Sequence, residues 1–270
     1  PLHAGPMDDR YRTIEWSKAM DSLIDRMRST APERTFFYFS GRSSNEAAFL
    51  LQVFARLHGT NNVNNCSYYC HQASGVGLSS VTGSGTSTIT LDDVDACDMI
   101  FIIGGNPASN HPRFMRSLME LKRRGGKVVV INPMKEVGLV RFKVPSDVRS
   151  LFFGTDIADE YLMPRIGSDV AVLVGIAKAV IAENAVDATF AEQHAEGWDA
   201  WREMVEAATW SEIEASCGLE RAELERAARL YAASRNTIFT WTMGITHHVH
   251  GVENVQTIAG LAMMRGMLGR

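Results

Sequence analysis

Two short, wholly apolar runs constrain this chain more than any other feature. Met99–Ile103 reads MIFII and Lys127–Ile131 reads KVVVI. Neither run alternates polar with apolar residues, so neither suits a strand with one wet face; both call for burial on two sides. Between them, Arg113–Arg124 places Phe114, Leu118 and Leu121 at helical spacing. Gly104–Gly105 closes the first run and Asn132–Pro133 the second. Two doubly buried strands joined by a helix predict neighbouring parallel strands with a right-handed crossover, the unit of a doubly wound α/β fold.

The remaining periodicity extends that unit. Trp16–Arg28 repeats Trp16, Met20, Leu23, Ile24 and Met27 at helical spacing, and Thr35–Ser40 reads as a short buried strand. Ser43-Ser44-Asn45 can cap a helix that runs from Glu46 to about His58, with Gly59 closing it. Thr60–Gly85 is rich in Asn, Ser, Gly and Thr and reads as a long loop with one short helix near Ala73–Ser79. Helices are expected from Ser168 or Asp169 to Ile181, over Asp187–Gln193, Trp198–Ala207, Ser211–Ala215 and Arg221–Ser234, and over Gly251–Leu268. A strand is expected at Asn236–Thr240. The fold class is thus α/β, with two doubly wound, mostly parallel sheet blocks flanked by helices. The first block takes residues 1–134, rejoined by 235–270, and the second, helix-rich block takes 135–270.

Composition narrows the function classes. The 270 residues are 46% hydrophobic and 21% charged, with a net charge of −4. That is a globular composition without the basic excess that phosphate backbones require, so no nucleic-acid partner is expected. No apolar run approaches the ~20 residues of a membrane span. Pro1–Arg10 is polar, so no secretory leader is expected. Four cysteines do not make a disulfide scaffold, which points to a reducing, cytoplasmic setting.

Four constellations carry chemistry. The first is Cys66-Ser-Tyr-Tyr-Cys70-His71: a thiolate is a soft metal donor and a nucleophile, with an imidazole beside it. A buried, inert Cys70 is the plain alternative, and a zinc site from Cys66, Cys70 and His71 a third, although adjacent ligands fit zinc spacing poorly. The second is Gly104-Gly105-Asn106-Pro107-Ala108-Ser109-Asn110-His111-Pro112, at a strand end where open α/β sheets receive ligands. It lacks the Gly-x-Gly-x-x-Gly pattern of nicotinamide sites and is also compatible with an ordinary turn. The third is Asn132-Pro133 at the next strand end. The fourth is Trp241–Gly251, where His247, His248 and His250 cluster; in an extended segment His248 and His250 would share a side and His247 would oppose them.

In order, Gly59-Thr60-Asn61-Asn62, Cys70-His71, Gly105-Asn106-Pro107-x-x-x-His111-Pro112, Asn132-Pro133, Gly167-Ser168-Asp169 and Trp241-x-Met243-Gly244 resemble the molybdopterin oxidoreductases of the dimethyl-sulfoxide-reductase superfamily. The branch most similar is that of formate dehydrogenase alpha subunits and their acid-resistance-associated relatives. The resemblance runs from about Trp16 to Arg270. It implies a bis(molybdopterin guanine dinucleotide) cofactor holding molybdenum or tungsten, with Cys70 as the metal's protein ligand and His71 as the neighbouring proton-handling histidine. It implies that Gly105, Asn106, Ser109 and His111 surround one pterin nucleotide, that Asn132 and Asp169 lie near guanine-recognition loops, and that Met243, Gly244 and His247 lie near the second nucleotide.

The chain also departs from the family. Asn132 stands where an aspartate is usual, Met134 where formate dehydrogenases have arginine, and Lys135–Arg165 is longer. No cysteine precedes Cys66, so the family's 4Fe-4S domain would belong to a longer protein of which this is the central fragment. The resemblance implies formate or a related small substrate and an electron-transfer subunit as partners. The alternatives are a nitrate-reductase-like oxygen-atom transfer, a non-catalytic α/β nucleotide-binding module, and a zinc-stabilised interaction domain.

Overall fold

A computed structural model describes residues 1–269, which form two compact units, Pro1–Tyr69 and a second from Cys70 onward. In the first unit lie helix α1 (Trp16–Ser29), strand β1 (Phe37–Phe39), helix α2 (Asn45–His58) and strand β2 (Val63–Asn65). Strands β1 and β2 pair in parallel. Of the three expected capping residues it is Ser44 that caps α2, accepting from the Ala47 amide at 3.2 Å, and Gly59 ends it as expected at φ 99°, a conformation open chiefly to glycine. The apolar stripe of α1 does not mark a buried face: none of its residues is buried.

Helix α3 (Cys66–Cys70) leads into α4 (Gln72–Thr82), so most of the expected 60–85 loop is helical. The reason lies in residue size. Helix α4 buries Ser74, Gly77 and Leu78 against α11 (Gly251–Met264). A Cβ on Gly77 would fall 2.8 Å from the Val255 side chain and 3.1 Å from the Val252 carbonyl oxygen. Small residues that look like loop in a sequence here permit two helices to touch.

The second unit is built on strands β3 (Met99–Ile103), β4 (Lys127–Ile131), β5 (Glu160–Leu162) and β6 (Thr237–Trp241). They form one parallel sheet in the order β6-β3-β4-β5, with Trp241 level with Ile103, Ile103 with Ile131, and Ile131 with Leu162. Helix α5 (Phe114–Arg123) connects β3 to β4, as their apolar runs predict. The sheet continues across residue 134, since β4 and β5 pair, and residues 237–241 return to pair with β3. The segment between β4 and β5 holds two short helices, Val137–Val140 and Val148–Phe153, and one small antiparallel pair.

Alternation within the strands sorts the core into two layers. Met99, Phe101, Ile103, Val129 and Ile131 pack with α6 (Asp169–Ala182), α10 (Arg221–Ala233) and α11. Ile100, Ile102, Val128 and Val130 pack with Met115, Leu118 and Leu121 of α5. Helices α7 (Ala188–His194), α8 (Trp198–Ala207) and α9 (Trp210–Cys217) complete the first layer's outer side. No helix among the described residues is long and apolar enough to cross a membrane. All four cysteines are free. Burial pushes the Cys97 thiol up to about 11, and burial also raises that of Cys217.

At the amino-terminal edge of the sheet, Asp98 ties β3 to the turn before β6. It accepts from the Ser234 hydroxyl at 2.6 Å and from the amides of Arg235 and Asn236 at 2.9 and 3.0 Å. Burial pushes its carboxyl up, but these hydrogen bonds outweigh burial and hold it below its ordinary value. Asp98→Ala strands the turn's donors and should lower stability by about 3 kcal/mol, read from urea unfolding midpoints at pH 7. A carboxyl depressed in the folded state stabilises above its unfolded pKa and ceases to as pH falls through the folded value. The gap between wild type and Asp98→Asn should therefore narrow as unfolding is repeated at pH values below the ordinary aspartate range; a gap independent of pH would assign the effect to shape alone. Gly77→Ala should also destabilise, by about 1–3 kcal/mol, because overpacking against α11 outweighs the ~1 kcal/mol gain in helix propensity. A raised thermal midpoint in that variant would show that the helices can separate at little cost.

Candidate active site

Four parallel strands end at one rim, and the loops that leave them are tied together there. Gly104 donates its amide to the Ile131 carbonyl at 2.8 Å, and Asn132 donates its own to Leu162 at 3.0 Å. The Gly244 amide reaches the Gly104 carbonyl at 3.2 Å, and the Thr242 hydroxyl reaches the same oxygen at 2.5 Å. A Cβ on Gly244 would lie 2.5 Å from that oxygen, and one on Gly104 would lie 2.9 Å from Gly244 backbone atoms. The two glycines let the loops after β3 and β6 interlock; Gly104, at φ 59°, also takes a backbone conformation that suits glycine.

A cleft of about 520 Å³ opens beside this junction, within the second unit. Cys70, His71, Gly105, His111 and Met243 line it, together with Trp241. Cys70 ends α3 and is half-buried; its carbonyl accepts the Thr246 hydroxyl at 2.6 Å, which anchors it to the short helix Met243–Thr246. His71 precedes α4, with Nδ1 3.2 Å from the Ser74 hydroxyl. That hydroxyl also accepts the Trp241 indole N–H at 2.9 Å, so a buried serine fixes both the imidazole and the indole. Partial burial, then the nearby imidazoles of His247 and His111, lower the His71 pKa and hold the ring neutral at pH 7.

The other residues singled out from the sequence brace the rim. Asn132 is buried and donates to the Gly105 carbonyl at 3.4 Å. Asn106 accepts the Ser109 amide and donates to the Glu136 carboxylate at 2.7 Å. Asp169, buried at the start of α6, sits 3.4 Å from His248 Nε2; burial raises its pKa and His248 opposes that rise. Asn254 Nδ2 lies 2.7 Å from the same His248 nitrogen and donates to the Ile245 carbonyl, while its buried Oδ1 has no partner among the described residues. Residues 247–250 are not extended, so the expected alternation of the histidines fails: His248 meets Asp169, His247 approaches His71, and His250 lies 4.0 Å from Glu253. Sequence reasoning missed Ser74, Glu136 and Asn254. Ser74 and Asn254 are single polar residues on helices, and Glu136 lies in an irregular stretch, so no pattern marks them.

The donor set fits a metal held mostly by a cofactor. Among the described residues no group of three His, Cys, Asp or Glu side chains is placed to hold a metal ion, so the zinc reading of the cysteines and histidines finds no ligand set. Cys70 offers one soft donor in a cleft lined also by His71, His111, apolar side chains and the polar Asn110, Thr240 and Thr242.

The family model for molybdopterin oxidoreductases matches residues 6–270. The chain is 37% identical to an uncharacterized oxidoreductase of Mycobacterium tuberculosis, over its whole length and 36% of that protein. It is 38% identical to protein YdeP of Escherichia coli, covering 37% of it, and 31% identical to formate dehydrogenase H of Escherichia coli, with 97% of this chain and 35% of that enzyme aligned. Acetylene hydratase from Pelobacter acetylenicus superposes with a TM-score of 0.68 over 97% of this chain and 34% of its own, at 20% identity, which bears on the fold alone. The chain therefore spans about a third of the length of the relatives it matches, and over that span it belongs to the molybdopterin oxidoreductase family.

Proposed function

We propose that this chain is the metal-holding core of a formate-dehydrogenase-like enzyme that oxidises formate, or a related small substrate, by two electrons. The observation that carries the reading is the adjacent pair Cys70-His71 lining the cleft at the sheet rim. Family membership brings a pterin cofactor with molybdenum or tungsten; we take its form to be bis(molybdopterin guanine dinucleotide). When bound, the cofactor supplies the two-electron chemistry. Formate oxidation yields carbon dioxide, one proton and two electrons.

In this reading Cys70 supplies the protein's thiolate to the metal, and the Thr246 bond to its carbonyl holds the backbone that presents it. His71, kept neutral by burial and by two neighbouring imidazoles, is ready to accept the proton at a ring nitrogen. Its ring is oriented by Ser74, which Trp241 orients in turn. Gly105, Asn106, Ser109 and His111 serve one nucleotide of the cofactor, Asn132 and Asp169 guanine recognition, and Met243, Gly244 and His247 the other nucleotide. Electrons would leave through a 4Fe-4S cluster elsewhere in the whole protein, or through a partner subunit. The four free cysteines support a reducing, cytoplasmic location.

The test uses the full-length protein with Cys70→Ala, Cys70→Ser and Cys66→Ala, assayed for formate-dependent dye reduction and for bound molybdenum. Cys70→Ala should lose activity by about 100-fold or more, in the range that loss of a key catalytic group produces. Cys70→Ser should keep metal but turn over more slowly, since a hard oxygen replaces a soft sulfur. Cys66 accepts the Gly41 amide through its sulfur at 3.0 Å, so Cys66→Ala should cost only about 1 kcal/mol of stability and leave activity near wild type. Full activity with molybdenum retained in Cys70→Ala would remove Cys70 from the mechanism. Nitrate reduction without formate oxidation would replace the substrate class while leaving the cofactor reading intact.

A further inference from the structure

A second cleft, of about 770 Å³, shares no lining residue with the Cys70 cleft. It opens between α11 and the segment that joins α7 to α8, also within the second unit. Trp198 and Trp201, one helical turn apart on α8, stack with centroids 5.7 Å apart and ring planes 30° apart. Trp201 lies against the backbone of α11 because residue 260 is glycine: a Cβ there would fall 2.7–2.8 Å from three indole atoms. Glu253 stands two turns before Gly260 on α11, with its side chain 55% exposed and its carboxylate 4.0 Å from His250 Nδ1. Glu196 lines the same cleft just before α8. Among the described residues no lysine or arginine lines it, and His194 is its one lining imidazole.

Indole faces carry negative electrostatic potential, and two carboxylates without a lining cation add to it. The volume is that of a small-molecule site. A bare metal ion is not the match, since no group of three acidic, histidine or cysteine side chains is placed to hold one among the described residues. We propose that this cleft binds a small organic cation, with an alkylammonium or guanidinium head held over the Trp198–Trp201 pair and balanced by Glu253 and Glu196. The proposal is independent of the redox reading. Either can fail alone.

The probe is choline, titrated into the full-length protein by saturation-transfer NMR beside 3,3-dimethylbutan-1-ol, which has the same shape and no charge. Choline should bind saturably and about tenfold more tightly than the neutral analogue, the scale of a desolvated cation–aromatic contact. Trp201→Leu and Glu253→Gln should each weaken choline by about threefold or more and leave the analogue unchanged. Should Trp201→Leu fail to fold by circular dichroism, the exposed Glu253→Gln decides. Equal binding of the two probes, no saturable choline binding, or choline binding unchanged in Glu253→Gln would overturn the proposal. The second of these is also the outcome expected if another segment of the protein fills the cleft.

Discussion

Parallel pairing with burial on both faces is the constraint from which the site follows. A parallel sheet of four strands sends every carbonyl end in one direction, so β3, β4, β5 and β6 deliver their outgoing loops to a single rim. Covering both faces with helices leaves that rim as a place where backbone and polar side chains meet solvent. Residues drawn from positions 105, 111 and 243 line one cleft because strand direction, not sequence proximity, gathers them, and the end of α3 adds Cys70 through its bond to Thr246.

Direction alone would bring the loops near each other without holding them. The contact between Gly104 and Gly244 does the holding, and it tolerates no side chain on either partner. Around it the supports are single hydrogen bonds from unlike residues: Asn132 to Gly105, Asn106 to Glu136, Thr246 to Cys70. The imidazole of His71 depends on a chain of the same kind, through Ser74 to Trp241. Asp169, His248 and Asn254 form a separate polar group, with Asp169 and Asn254 buried and His248 partly so.

What could be read from the chain beforehand follows from how each signal arises. Met99–Ile103 and Lys127–Ile131 were legible because double burial writes itself as an unbroken apolar run. Ser44 and Gly59 were legible because caps obey local rules. Gln72–Thr82 was not, since its helix is held by the absence of bulk at Gly77, and smallness in a sequence resembles a loop. Strand β5 has only three residues, too few for any period to show. The stripe of α1 was legible as a helix, and its exposure was not, because periodicity reports amphipathicity and not what covers it. At the candidate site, residues within motifs could be named from the sequence and the side chains that support them could not. Ser74 and Trp241 meet only through the fold, and His248 finds Asp169 only because the segment after Met243 bends.

The burial of Cys97 and Cys217 has a practical corollary. A thiol reacts as its thiolate, and these two are kept in the neutral form inside the core. An alkylating reagent added to the native chain meets Cys66 and Cys70, both only half-buried, and Cys66 already uses its sulfur to receive the Gly41 amide. On the proposed role of Cys70 as a metal ligand, the modification of that one residue would become a chemical gauge of occupancy: each protected Cys70 would count a loaded molecule, with no spectroscopy of the cofactor required.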